Sequence, residues 1–252
     1  MAQNQCIFEY CNFGNGYLRL YFPGKKNTPA KEMMIDLEDY SVVNGVIENV
    51  EPLVEKIKSD MKDLGINSIS APLLLLRCAE TYKKILFLPV KSAWQAKNLY
   101  TKEMKMDPDK DNYYTVNNAY KAGAGYIFNT YYMAQNVVEF FIKMAKMLGT
   151  DISEVQPYGM YLAETLEYNS NYVYFHIRNR VCTMILVCNQ EFITTYDFEF
   201  ESSRDIVQKF LLVVSKHEYE YAKQNITHFG IDADEPIDLD LGIELLESPK
   251  SK

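Results

Sequence analysis

An α/β fold is predicted from three observations. Short apolar or alternating stretches recur along the chain, and two strongly periodic helical segments, each closed by a glycine, lie among them. Residues 172–200 then shift to successive strand-like runs separated by turn residues. At 252 residues, with 48% hydrophobic against 24% charged side chains, the chain can bury a sizeable core in one or two domains and is not disordered.

In order along the chain, residues 6–22 (CIFEYCNFGNGYLRLYF) predict two strands joined by a turn. Asn12, Gly14, Asn15 and Gly16 supply residues that tolerate left-handed backbone angles. After a loop at 23–31, MMIDLED adds a third strand. In EPLVEKIKSDMKDLG, Leu53, Val54, Ile57, Met61 and Leu64 recur at helical spacing, and Gly65 stops the helix. SISAPLLLLRC and ETYKKILFLPV read as adjacent strands, with Lys83 and Lys84 marking a wet face or edge on the second. Ser92, three residues before Gln95, opens a helix running to about Met106, and DPDKDN at 107–112 closes it. A weak aromatic stretch precedes the strand GYIFNTYY. The next helix carries Val137, Val138, Phe141, Met144, Ala145 and Leu148 on one stripe and ends at Gly149. Residues 158–166 predict a short helix.

YVYFHIRN, VCTMILVCN and EFITTYDFEF predict three strands, turning at Asn179-Arg180 and Asn189-Gln190. The middle one is apolar on both faces, which suits an internal strand. Ser202 and Asp205 cap a helix in which Ile206, Val207, Phe210, Leu211, Val214 and Tyr221 face inward. From Ile231 the tail is acidic, and Ile237 to Leu246 carry enough apolar residues for one last strand or helical turn. An antiparallel hairpin near the start is echoed by another beginning near residue 172.

Lys and Arg number 26 against 34 Asp and Glu, a net charge of -8 that argues against broad coating of nucleic acid. Five cysteines, an odd and scattered set, do not form a disulfide framework and read as core thiols. No basic-then-apolar leader and no run of about 20 apolar residues is present, so an intracellular chain that does not itself span a membrane is predicted. NFGNG matches neither glycine-rich phosphate motif and reads as a hairpin turn. His176, His217 and His228 lack metal-ligand spacing, and Asp36, Glu38 and Asp39 read as a solvated turn before they read as a magnesium site. No nucleophile elbow or His-Glu-x-x-His helix occurs. Trp94, Leu99 and Tyr100 are either core residues or anchors for a protein partner.

The stretch YSVVNGVIENV through NLYTKEM, residues 40–104, resembles the actin-like ATPases of the type IV pilus assembly family (PilM-like proteins), relatives of the cell-division protein FtsA. The features that carry the likeness are Gly45–Ile47, a helix ending at Leu64–Ile66, strands ending at Leu88-Pro89, and the helix at 92–106. YIFNTYYMAQNVVEFFIKMAKMLGT resembles that family's next strand and helix, and VCTMILVCNQEFITTYDF resembles the hairpin opening its second half. The likeness runs over about 40–225. It implies an actin-like (ribonuclease H-like) fold: a first half over 1–165 with a small α/β subdomain inserted at about 40–115, and a truncated second half over 166–252 with an acidic tail.

In that family the nucleotide phosphates lie between two hairpins, each begun by a strand carrying Asp-x-Gly. The register of the resemblance puts the first pair on Glu9 and Cys11, beside Asn12, and the second on His176 and Arg178. Neither glycine is present and the second acid is histidine. The resemblance therefore implies degenerate phosphate-hairpin positions, no catalytic or metal-ligating residue and no cofactor, with ATP and Mg²⁺ as the alternative. It implies a scaffold or adaptor on the cytoplasmic side of a type IV pilus or secretion-like assembly, peripheral to the inner membrane. Its partner would be a short cytoplasmic tail of an inner-membrane subunit. From the residues themselves, Trp94 and Tyr100 are the candidate partner contacts, the charge balance excludes nucleic acid, and the short half is completed by a partner or by self-association with a second copy. The alternative is a nucleotide-binding actin-like ATPase whose ATP-bound state controls partner binding. If the hairpins at 6–22 and 172–200 do not hold matching places, an α/β module unrelated to actin is the remaining reading.

Overall fold

Strand alternation makes each sheet face either an apolar layer or a place for polar groups, and the helices settle on the apolar one. The structure is a computed structural model and describes residues 5–13, 16–24, 29–43, 45–78, 81–109, 111–165, 171–178, 180–188, 191–214, 226–242 and 244–245. In chain order the elements are β1 (Ile7–Cys11), β2 (Tyr17–Phe22), β3 (Lys31–Asp36), β4 (Val42–Val43), β5 (Val46–Ile47), α1 (Val50–Asp63), β6 (Leu73–Arg77) and β7 (Tyr82–Leu88). There follow α2 (Ala93–Met106), β8 (Tyr113–Ala122), β9 (Gly125–Ala134), α3 (Gln135–Met147), β10 (Glu154–Pro157) and α4 (Tyr158–Thr165). The chain closes with β11 (Tyr172–Arg178), β12 (Val181–Cys188), β13 (Glu191–Glu199), α5 (Ser203–Val214), β14 (His228–Ala233) and β15 (Glu244–Leu245). Two units divide it: Met1–Tyr82, Asn112–Val116 and Tyr132–Tyr158 form the first, and Lys83–Asp111, Asn117–Tyr131 and Gly159–Lys252 the second.

The first unit is built on a five-stranded sheet of order β10-β6-β1-β2-β3. β1 is antiparallel to β2 and parallel to β6, and β10 continues the parallel side. Phe8, Tyr10, Leu18, Leu20, Leu74 and Leu76 line one face and form a core with Leu53, Val54 and Ile57 of α1 and Val138, Phe141 and Met144 of α3. The Tyr10 ring lies 4.8 Å from that of Phe141, and its hydroxyl donates to the Gly45 carbonyl at 2.7 Å. At the end of α1, Gly65 takes φ +66° and Ile66 N–H donates to the Met61 carbonyl, the glycine stop read from the sequence.

The second unit repeats the plan. Its sheet has the order β13-β12-β11-β14-β15, an antiparallel meander whose first strand pairs in parallel with β14, as β1 pairs with β6. Val173, Phe175, Cys182, Met184 and Leu186 pack with Ile206, Phe210 and Val213 of α5. Lys83–Leu88, Asn117–Ala122 and Gly125–Tyr131 add a sheet of order β7-β9-β8. One of its faces joins that core through Ile85, Phe87, Tyr120 and Ile127. The other carries α2, with Ala96 and Tyr100 against Leu88 and Phe128. The hairpins at 6–22 and 172–200 thus hold matching places in two similar sheets, as the actin-like reading requires. The second sheet also reaches five strands, although β15 is only two residues long.

Three elements differ from the sequence reading. β6 and β7 are not neighbours: β6 is buried along its length and both of its edges are taken by β1 and β10, while β7, with Lys83 and Lys84, forms a sheet edge. The weak aromatic stretch at 113–122 is a full strand, because pairing with β9 overrides the poor strand preference of Asn117 and Asn118. The start of the acidic tail is β14, held in parallel by β11. The expected inward Tyr221 lies outside the described residues, as do the turn residues Gly14 and Asn15.

At Gly159 in α4, an added Cβ would overlap the side chain of Thr195 on β13. Gly159→Ala is expected to destabilise the protein by about 1–3 kcal/mol through overpacking, measured by urea unfolding. Adding Thr195→Ala, which removes the hydroxyl and methyl but keeps the Cβ of residue 195, should recover only part of that loss.

Candidate functional site

Period-2 alternation puts Glu9 and Cys11 on the face of the first sheet opposite the helices, and the hairpin register sets Arg19 across from Glu9 and Tyr17 across from Cys11. Glu9 is only 3% exposed. A carboxylate buried this deeply needs charged and hydrogen-bonding partners, and both of its oxygens have them. The Tyr17 hydroxyl donates to Oε1 at 2.5 Å, and Arg19 Nη1 donates to Oε2 at 3.0 Å. Arg19 also reaches Glu32 on β3 at 2.8 Å, so one guanidinium joins three strands. Burial and the negative Glu9 push the Tyr17 hydroxyl well above its ordinary value, which keeps it a donor. Arg77 is 0% exposed, stands opposite Cys11 on β6, donates to the Tyr17 hydroxyl at 3.2 Å and lies 5.2 Å over the Tyr158 ring. Asn12, half-buried at the end of β1, donates its N–H to the Arg77 carbonyl at 3.2 Å.

The corresponding face of the second sheet carries His176 and Arg178 on β11, with Asp232 directly opposite His176 on β14. Arg178 Nη2 donates to Asp232 Oδ2 at 2.7 Å, and its Nη1 donates to the Ile177 and Asp232 carbonyls at 2.7 and 3.1 Å. His176 Nδ1 lies 3.3 Å from the same carboxylate oxygen. Burial would raise the Asp232 carboxyl, but the hydrogen bond and charge of Arg178, with His176 beside it, outweigh that and hold it below the usual carboxylate range. One strand further, the Thr183 hydroxyl donates to Asp197 at 2.5 Å. A cavity of about 340 Å³ opens by the end of β11, and its walls carry Glu201, Asp234, Glu235 and Asp238 against the single cation Arg180.

The first strand of each sheet therefore brings its two predicted residues to one face, in a polar cluster closed on itself. The residues present do not fit a magnesium-bound triphosphate. Both Glu9 oxygens are taken, the Cys11 side chain is buried, Arg178 is turned onto Asp232, and the nearby cavity is acidic. Among the described residues no group of three His, Cys, Asp or Glu side chains is placed to hold a metal ion, and Asp36 at the end of β3 and Glu38 and Asp39 in the turn after it are exposed. Cys6, Cys11, Cys78 and Cys182 are buried and unbridged, and burial pushes the Cys6 thiol up to about 12. Tyr17, Arg19, Arg77 and Asp232 escaped the sequence reading. Arg19 was within reach, since the hairpin register pairs it with Glu9, whereas Arg77 and Asp232 sit on parallel strands whose pairing no local pattern announces.

Trp94 and Tyr100 share α2 but not a role. Tyr100, 8% exposed, stacks on Phe128 at 4.3 Å and its hydroxyl meets Thr130 Oγ1 at 2.8 Å. Trp94 is 74% exposed.

No family model matches the chain and no curated protein matches it. Solved structures do. PilM in the PilM-PilN type IV pilus biogenesis complex aligns with a TM-score of 0.60 at 11% identity, covering 87% of this chain and 68% of that one. The cytoplasmic domain of EpsL, an inner-membrane component of the type II secretion system of Vibrio cholerae, aligns with a TM-score of 0.59 at 10% identity, covering 97% and 89%. At these identities the likeness is one of fold, and the chain has the actin-like ATPase fold.

The folded-state pKa of Asp232 lies below its unfolded value, so its contribution to stability is complete above about pH 4 and is lost as pH falls through the depressed folded value. In urea unfolding across pH, Asp232→Asn should be less stable than the wild type at neutral pH. The difference should shrink on acidification.

Proposed function

We propose that the chain is a non-catalytic actin-like scaffold or adaptor, acting through protein contacts on the cytoplasmic side of a type IV pilus or secretion-like membrane assembly. The observation that carries the reading is the inward pairing of the charges at both hairpin strands. Glu9 is spent on Arg19 and Tyr17, and Arg178 is spent on Asp232, with His176 Nδ1 3.3 Å from the same carboxylate. A fold relieved of nucleotide keeps its surface for partners. The choice of assembly is supported by likeness of fold to PilM, solved in a pilus biogenesis complex with PilN, and to the cytoplasmic domain of an inner-membrane secretion component. No helix among the described residues is long and apolar enough to cross a membrane, which suits a peripheral place held by an inner-membrane subunit, in keeping with that reading.

Calorimetric titration with Mg-ATP and Mg-ADP tests the non-catalytic part. No saturable heat is expected at millimolar nucleotide. Saturable binding that Arg178→Ala weakens would overturn the reading in favour of a nucleotide-controlled ATPase.

A further inference from the structure

α2 covers its sheet with Ala96 and Tyr100 and turns the rest of its surface outward. That outward surface carries Trp94, Leu99 and Met106, the last 82% exposed. Residues 91–106 contain Lys91, Lys97, Lys102 and Lys105 and one acid, Glu103, in a chain whose net charge is -8. The two acids that follow, Asp107 and Asp109, are held by Lys84 at 3.0 and 2.7 Å, which leaves the basic character of the helix in place. α2 covers β7 and β9 but leaves β8 open, and the resulting groove of about 570 Å³ is lined by Lys97, Thr101, Asn117 and Lys121 over an aromatic floor, without a carboxylate.

We propose that this face, α2 with the groove beside it, docks on an anionic phospholipid bilayer surface. Trp94 to Met106 spans about 18 Å along the helix, a length that suits a plane better than a pocket. An exposed tryptophan among lysines is the composition of a helix lying at the headgroup level, where ammonium groups on flexible stems reach phosphates while apolar side chains sink between them. An acidic protein partner accounts for the surface less well. Its cations are all lysine, which protein interfaces avoid, and residues 81–122 contain no arginine, which they favour. The contact goes beyond the scaffold reading and does not depend on it.

Trp94 is the single tryptophan, so its emission reports on this face alone. The full chain is mixed with vesicles of phosphatidylglycerol and phosphatidylcholine in equal parts, and with phosphatidylcholine alone. A blue shift and co-sedimentation are expected with the anionic vesicles only, both weakening with salt. Lys97→Gln and Lys102→Gln, both at exposed positions, should each lower partitioning about fivefold, and Trp94→Ala should lower sedimentation, with circular dichroism unchanged. An unshifted emission with anionic vesicles, or equal sedimentation of the double lysine variant, would overturn the proposal. A shift produced by soluble oligoglutamate and not by vesicles would overturn it in favour of an acidic protein partner.

Discussion

Glu9 sits in a strand with no exposed residue, at the centre of a sheet, and a carboxylate there is stable only when its charge and both oxygens are satisfied. The first unit is arranged around that demand. The β1–β2 register brings Arg19 opposite it, Tyr17 reaches it diagonally, and Arg19 extends the link to Glu32 on β3. On the other side of β1, the fully buried Arg77 takes the Tyr17 hydroxyl as partner and the Tyr158 ring as cover. Shifting this register by one residue would set Glu9 across from Leu18 or Leu20 and send either Glu9 or Arg19 into the packed layer against α1 and α3, so the same pairing that satisfies the acid also pins the sheet.

The second unit answers a similar demand with the charges exchanged. Its first strand contributes the cation Arg178 with His176 beside it, and the neighbouring parallel strand contributes the acid, Asp232. In both units the charged side chains of the first strand are paired within the protein itself. Glu9 is buried, so removing one of its partners is strongly destabilising, whereas Arg178 and Asp232 are partly exposed and their pair contributes less.

Much of the fold was legible because its signals are local. The apolar stripes of α1 and α3, their glycine stops, and the three strands at 172–200 appear where periodicity puts them. The capping serine of α2 was legible too: Ser92 Oγ accepts from Gln95 N–H. What local pattern cannot carry is partner choice between distant strands. β6 and β7 are near in sequence and belong to different sheets, and β8, with two adjacent asparagines, is a strand only because β9 pairs with it. The candidate site divides in the same way. Glu9, Cys11, His176 and Arg178 were named from the chain, while Arg77 and Asp232, which close the two clusters, come from parallel strands 66 residues past Cys11 and 54 past Arg178. On α2 the sequence named two aromatic residues together and the helix separated them, one into the core and one into solvent.

The inward pairing of the hairpin charges is tested most directly by a crystal structure obtained in excess magnesium and a non-hydrolysable ATP analogue. Intact Glu9–Arg19 and Arg178–Asp232 pairs, with no triphosphate density at either strand end, are the expected result. A triphosphate held at these strands, with Arg178 withdrawn from Asp232 onto its oxygens, would contradict it.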